Sequence, residues 1–259
     1  MGIERKYFLN SHHRLSYLDS GGDGPVLIAL HGHWMEATTF LPLAVSLSPE
    51  WRIIALDQRG HGYSDHTKTY IRDDYISDLA ALITHLNLSE SVVLLGNTLG
   101  GVNSYQFAAR YPTRVRAMII EDIGVEISGN IDYALNWSGI FPTRSDLENQ
   151  IDSQLLPYLQ DSIRGTANGW RLAFDPAQTI ISHSHVLGNH WSDWLASHCP
   201  ALLIRGQNSR VTTQEHCEAM IKRRPNTQLC VLDGGHVVHH ACPSGFAKTV
   251  HEFLSTLPT

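Results

Sequence analysis

At 259 residues the chain exceeds the commonest domain size but suits a single α/β domain with one contiguous core. Its formal charge of −6, with charged residues scattered and no basic stripe, argues against nucleic acid as a partner. The N-terminus is polar, and no stretch approaches the roughly 18 to 20 uninterrupted apolar residues of a membrane span, so a soluble cytoplasmic protein with no membrane partner is expected.

The first elements in chain order are two short segments, 6–9 and 15–19, which read as antiparallel strands around a polar turn at 10–14. Apolar runs rich in β-branched residues follow at 26–30, 53–56, 92–95, 118–120 and 201–204, the pattern of buried parallel strands. Amphipathic stretches of helical period lie among them at 75–86, 102–110 and 214–222. This alternation predicts a doubly wound, mostly parallel sheet, with right-handed crossovers placing helices on both faces. From about 125 to 198 the alternation stops. Helical patterns broken by Gly and Pro carry Trp137, Phe141, Trp170, Phe174, Trp191 and Trp194, which reads as an inserted helical lid. A last strand at 228–232 and a closing helix at 244–257 complete a core of residues 1–124 and 199–259.

Cys199, Cys217, Cys230 and Cys242 are irregularly spaced, and two fall in apolar runs that read as buried strands, so they are expected to be structural thiols in a reducing compartment. The clusters His12-His13, His183-Ser184-His185 and His239-His240 lack ligand spacing joined to a third partner, and no metal site is assigned.

In an open parallel sheet, chemistry sits where strands end, and three strand ends draw attention. The first is Gly96-Asn97-Thr98-Leu99-Gly100-Gly101, between a strand and a helix, with a hydroxyl at the apex. It resembles the nucleophile elbow of the α/β-hydrolase fold, whose sharp reversal leaves no room for side chains at the flanking glycines. The second, Leu30-His31-Gly32-His33-Trp34, resembles the family's turn that supplies half of the oxyanion hole. By that resemblance the donors are the amides of His33 and Leu99, with His31 bracing the turn. The third, Gly234-Gly235-His236, resembles the loop that carries the family's general base.

Many relatives carry their acid in a Gly-x-x-Asp loop late in the chain, but the corresponding residues here are Gly206-Gln207-Asn208-Ser209-Arg210. Some members use the end of the preceding strand instead, here Glu121-Asp122, which makes Asp122 the acid. Glu121 should point the other way because side chains alternate along a strand, and Glu126 is a weaker alternative. The loop Asp57-Gln58-Arg59-Gly60-His61-Gly62 also resembles the family and is read mainly as structural.

Most hydrolytic relatives have Ser where this chain has Thr98. A β-branched residue tolerates positive φ poorly, so Thr98 could hold its oxygen off the line of attack or turn its methyl toward the oxyanion hole. Three accounts stay open: an engineered exchange, a natural Thr nucleophile, and a natural loss of hydrolysis. The resemblance implies hydrolysis of a carboxylic ester, thioester or lactone by a Thr98–His236–Asp122 triad without cofactor or metal. The alternatives are a non-hydrolytic ligand-binding member and a cofactor-independent dioxygenase using His236 and Asp122. The expected partner is a small ester-like molecule with an apolar portion. Trp34, Asn97, Trp137, Phe141 and Trp170 are expected to contact it, and Arg59, Arg144 and Arg171 are candidates for holding a carboxylate.

Overall fold

In a computed structural model describing residues 2–258, the apolar runs expected as strands all lie in one sheet. The chain opens with β1 (Glu4–Asn10), β2 (His13–Asp19) and β3 (Val26–Leu30). It continues through α1 (Leu41–Leu47), β4 (Arg52–Asp57), α2 (Arg72–His85), β5 (Val92–Asn97), α3 (Leu99–Arg110) and β6 (Val115–Glu121). The insertion holds β7 (Glu126–Ile127), α4 (Arg144–Glu148), α5 (Leu156–Leu159), β8 (Ile163–Thr166), β9 (Gly169–Leu172), α6 (Pro176–Ser184), β10 (Gly188–Asn189) and α7 (Trp191–Leu195). The chain ends with β11 (Ala201–Gly206), α8 (Gln214–Arg223), β12 (Thr227–Leu232), α9 (Val238–Ala241) and α10 (Pro243–Ser255).

The eight-stranded sheet has the order β1-β2-β4-β3-β5-β6-β11-β12. Only the β1–β2 and β2–β4 pairs are antiparallel. From β3 the chain moves to β4 on one side and then to β5 on the other, so the strand order reverses between β3 and β5. In open α/β sheets a crevice forms at the carboxyl ends of strands at such a switch point.

Alternation along the strands divides the core in two. Ile28, Leu30 and Leu94 face α2, α3 and α8, packing with Leu79, Leu82, Tyr105 and Met220. Leu27, Ala29, Val93 and Leu95 face α1 and α10, packing with Leu43, Leu47, Val250 and Phe253. Burial on both faces explains why these strands read as continuous apolar runs. The insertion has its own apolar cluster around Trp137, Leu147, Leu159 and Phe174.

The insertion is less helical than its sequence implied. Its longest helix, α6, has 9 residues. Ala167 and Asn168 turn β8 back onto β9, which opens with Gly169 at φ 130°, and the Thr166 hydroxyl donates to the Gly169 carbonyl at 2.9 Å. β7 and β10 pair at the neck. α7, expected within the lid, packs on the core: Trp194 is fully buried there and its indole N–H donates to the Met220 carbonyl at 3.2 Å. Of the cysteines, Cys217 is buried on α8, Cys230 lies half-buried in β12, and all four are free.

Backbone approaches backbone closely at the β5–α3 junction. A Cβ at residue 100 would stand 2.0 Å from the Leu30 carbonyl oxygen, and one at residue 96 would stand 2.1 Å from the Gly100 carbonyl oxygen. Neither neighbour is a flexible side chain that could yield. Gly100→Ala should therefore destabilise the fold by about 3 kcal/mol, the upper part of the range for overpacking. Urea unfolding monitored by tryptophan fluorescence checks this.

Candidate active site

The β5–α3 turn holds Thr98 at φ 43° and ψ −107°, a backbone conformation that costs a β-branched residue on the order of 1–3 kcal/mol. The surroundings over-determine it. The Thr98 N–H donates to the Glu121 carbonyl at 3.2 Å and its carbonyl accepts from Val102 N–H at 3.1 Å. The side chain is half-buried and lines a cavity of about 420 Å³ at the switch point.

Asp122 follows β6 at φ 50°, its side chain fully buried. Its Oδ1 accepts the Gly206 N–H at 3.0 Å, and its Oδ2 accepts the Ser209 hydroxyl and, at 2.7 Å, His236 Nδ1. A carboxylate only accepts, so the proton sits on Nδ1 and Nε2 keeps its lone pair for the cavity. The imidazole is 29% exposed, enough to meet a ligand. The structure thus brings Thr98, Asp122 and His236 to one crevice. The Thr98 hydroxyl makes no hydrogen bond to His236, and the Thr98 methyl packs so closely on the turn after β3 that a Cβ at Gly32 would lie 2.2 Å from it. The methyl is therefore directed at the turn after β3 that carries His33.

His33 and Leu99 both line the cavity beside Thr98. Leu99 opens α3, where an N–H has no partner four residues back in the helix. His31 braces the turn: Nδ1 donates to the Gly32 carbonyl at 2.6 Å, and Nε2 accepts the Gln58 N–H at 3.0 Å. Trp34 adopts φ 71° and lines the cavity, its indole N–H buried without a partner. Glu36, just beyond this turn, is ion-paired with Arg164 of the insertion.

The other four expected substrate contacts do not reach the cavity. Asn97 is completely buried, and its amide donates to the His236 carbonyl at 3.5 Å, so it supports the loop that carries His236. Trp137 packs edge-on behind Trp34 at 5.1 Å and donates to the Gln150 carbonyl at 3.0 Å. Phe141 and Trp170 exchange two backbone hydrogen bonds of 2.8 Å and pack on the insertion's own cluster. In each case an apolar ring closes a core or braces a wall. The arginines considered for carboxylate binding are also engaged. Arg59 pairs with Asp74 and Asp78, Arg144 with Glu148, and Arg171 donates to the Leu172 carbonyl. The cavity walls come instead from residues that carried no periodic signal, including Ile127, Tyr133, Tyr158, His183 and Arg210.

Two further features surround the site. Glu121, adjacent to Asp122, points away from it and accepts from His239 Nδ1 at 2.7 Å, while His239 Nε2 accepts the Thr39 hydroxyl at 2.6 Å. His239 is thus a buried partner of Glu121. Beneath the oxyanion turn, His31, His33 and His61 pack together. Burial pushes His31 down to about 4 and His61 to about 3, and holds His33 well below its ordinary value.

A model of the α/β hydrolase fold family matches residues 25–241, and the chain belongs to that family. It is 28% identical over 248 residues to 2-(acetamidomethylene)succinate hydrolase of Mesorhizobium japonicum, covering 90% of this chain and 89% of that protein. It is 24% identical over 257 residues to pimeloyl-[acyl-carrier protein] methyl ester esterase of Xanthomonas campestris, covering 93% and 100%. Among solved structures, E-2-(acetamidomethylene)succinate hydrolase superposes with a TM-score of 0.88 at 24% identity, covering 98% of this chain and all of that one. No helix among the described residues is long and apolar enough to cross a membrane.

The buried imidazoles make stability depend on pH. The unfolded chain takes up protons near pH 6.5 that the folded chain refuses, so stability present above pH 6.5 is lost as pH falls toward 4. Between pH 7.5 and pH 5 the loss should be about 2 kcal/mol for each of His31 and His61. Urea midpoints at the two pH values measure it.

Proposed function

We propose that the chain hydrolyses a carboxylic ester, thioester or lactone by acyl transfer through Thr98. The observation that carries this reading is the convergence of a strained Thr98 and an Asp122-oriented His236 on one cavity. His236 Nε2 takes the Thr98 proton as the hydroxyl oxygen bonds to the substrate carbonyl carbon. The resulting oxyanion is received by the His33 and Leu99 amides, each such donor contributing on the order of 3 kcal/mol. Collapse breaks the bond to the leaving group, which takes the proton from His236. Water then repeats the sequence, giving its proton to His236 and releasing the acid from Thr98. The hydrolase and esterase relatives support the reaction class, and the four free thiols suit the reducing compartment in which we place the protein.

One observation favours a second reading, a member of the fold that binds a ligand without turning it over. The hydroxyl is not hydrogen-bonded to His236, and the methyl occupies the oxyanion side of the crevice. A displacement of about 1 Å costs on the order of 100-fold in rate.

Steady-state turnover of p-nitrophenyl acetate and butyrate, with intact-mass detection of an acyl adduct on Thr98, separates the two. Hydrolysis predicts turnover or a trapped adduct, and a gain of about 10- to 100-fold in Thr98→Ser as the methyl is removed. Asp122→Asn should cost about 10⁴-fold in kcat by releasing the imidazole from its tautomer. Absence of both turnover and adduct in the wild type and in Thr98→Ser would put the ligand-binding and cofactor-independent dioxygenase readings ahead of acyl transfer.

A further inference from the structure

We infer that Arg210 is a specificity-determining residue, and that the molecule taken by this cavity carries a carboxylate besides its reacting carbonyl. The inference rests on the hydrolase reading for its account of turnover, but its binding arm stands apart from it.

Arg210 lines the same cavity as Thr98 and His236. Among the described residues its guanidinium makes no ion pair and no hydrogen bond, whereas Arg59, Arg72, Arg144, Arg164 and Arg224 all have partners. Its position is not left to a floppy loop. The residue before it, Ser209, donates its hydroxyl to Asp122 and accepts the Val211 N–H at 3.1 Å, while Gly206 N–H is held by the same carboxylate. The residues before Arg210 are thus pinned to the group that holds His236, and the residue after it is tied to Ser209.

The rest of the cavity makes a cation there informative. Ile123, Ile127, Leu155, Val186 and Val237 are part of its lining, and Arg210, an exposed residue, is the only lysine or arginine among the lining residues, a planar fork of donors suited to a carboxylate. Two more polar atoms in the wall, Trp34 Nε1 and His183 Nε2, are buried and unpartnered, as expected of walls that complete their hydrogen bonds only with a ligand. The one carboxylate in the lining, Glu126, accepts the Trp191 indole N–H at 2.7 Å and does not pair with Arg210. At about 420 Å³ the cavity admits a small molecule at the lower end of the usual range, which suits a short acyl chain ending in a carboxylate.

Two measurements test this on the intact protein. The first compares kcat/KM for p-nitrophenyl hydrogen glutarate with that for p-nitrophenyl butyrate, in the wild type, Arg210→Gln and Glu126→Gln. A fall of at least tenfold in the acid-to-neutral ratio for Arg210→Gln, with no such fall for Glu126→Gln, is the expected result. Loss of both substrates in equal proportion would show a merely structural role and overturn the inference. The second is calorimetric titration of Thr98→Ala and of Thr98→Ala/Arg210→Gln with monomethyl glutarate, which needs no turnover. Affinity at least tenfold weaker in the double variant supports the inference even if neither ester is hydrolysed, an outcome that would remove only the acyl-transfer reading. Equal binding, or none in either variant, overturns it.

Discussion

The approach of α3 to the end of β3 is the constraint on which the site depends. Because residue 100 lies against the Leu30 carbonyl, the helix can start only where it does, and the turn before it has room for one residue in a left-handed conformation. That residue is Thr98. The same proximity puts the free amide end of α3 beside the turn after β3, so Thr98, Leu99 and His33 are brought to one cavity by one backbone contact. Strain at the apex is sustained because the strand on each side and the helix beyond are all buried.

The end of β6 shows how two neighbouring carboxylates can be kept apart without competing. Glu121 closes the strand and reaches His239, whereas Asp122, turned by its positive φ, reaches His236 from the other side. Each carboxylate meets an imidazole N–H, and each imidazole thereby has one defined tautomer. The Glu121 pair extends to Thr39, tying the stretch behind the oxyanion turn to the helix that follows the base loop. The Asp122–His236 pair is therefore braced from below by a hydrogen-bonded Glu121–His239–Thr39 chain.

The strands were legible in the sequence because burial on both faces produces uninterrupted β-branched runs, and the elbow because its glycines answer to a local steric demand. Asp122 was singled out only through a resemblance, since a carboxylate after a strand has no local signature of the contact with His236 that the structure shows. α1 escaped notice because seven residues with a proline at the second position give too little periodic signal. The substrate contacts fared worst. Trp137, Phe141 and Trp170 look the same in a sequence whether they line a pocket or close a small core, and here the insertion needed them for its own packing. Arg210 stood in a motif noted only for the carboxylate it lacked.

β1 forms one open edge of the sheet, and it carries Glu4, Arg5 and Lys6 in succession. Arg5 reaches across β2 to Ser16 and Asp57, and Lys6 reaches Asp19 at 2.9 Å. A strand from another molecule laid beside β1 would have to desolvate these groups to reach the unpaired backbone. The charges that fasten the first hairpin to the sheet thus also discourage the protein from growing, edge to edge, into aggregates.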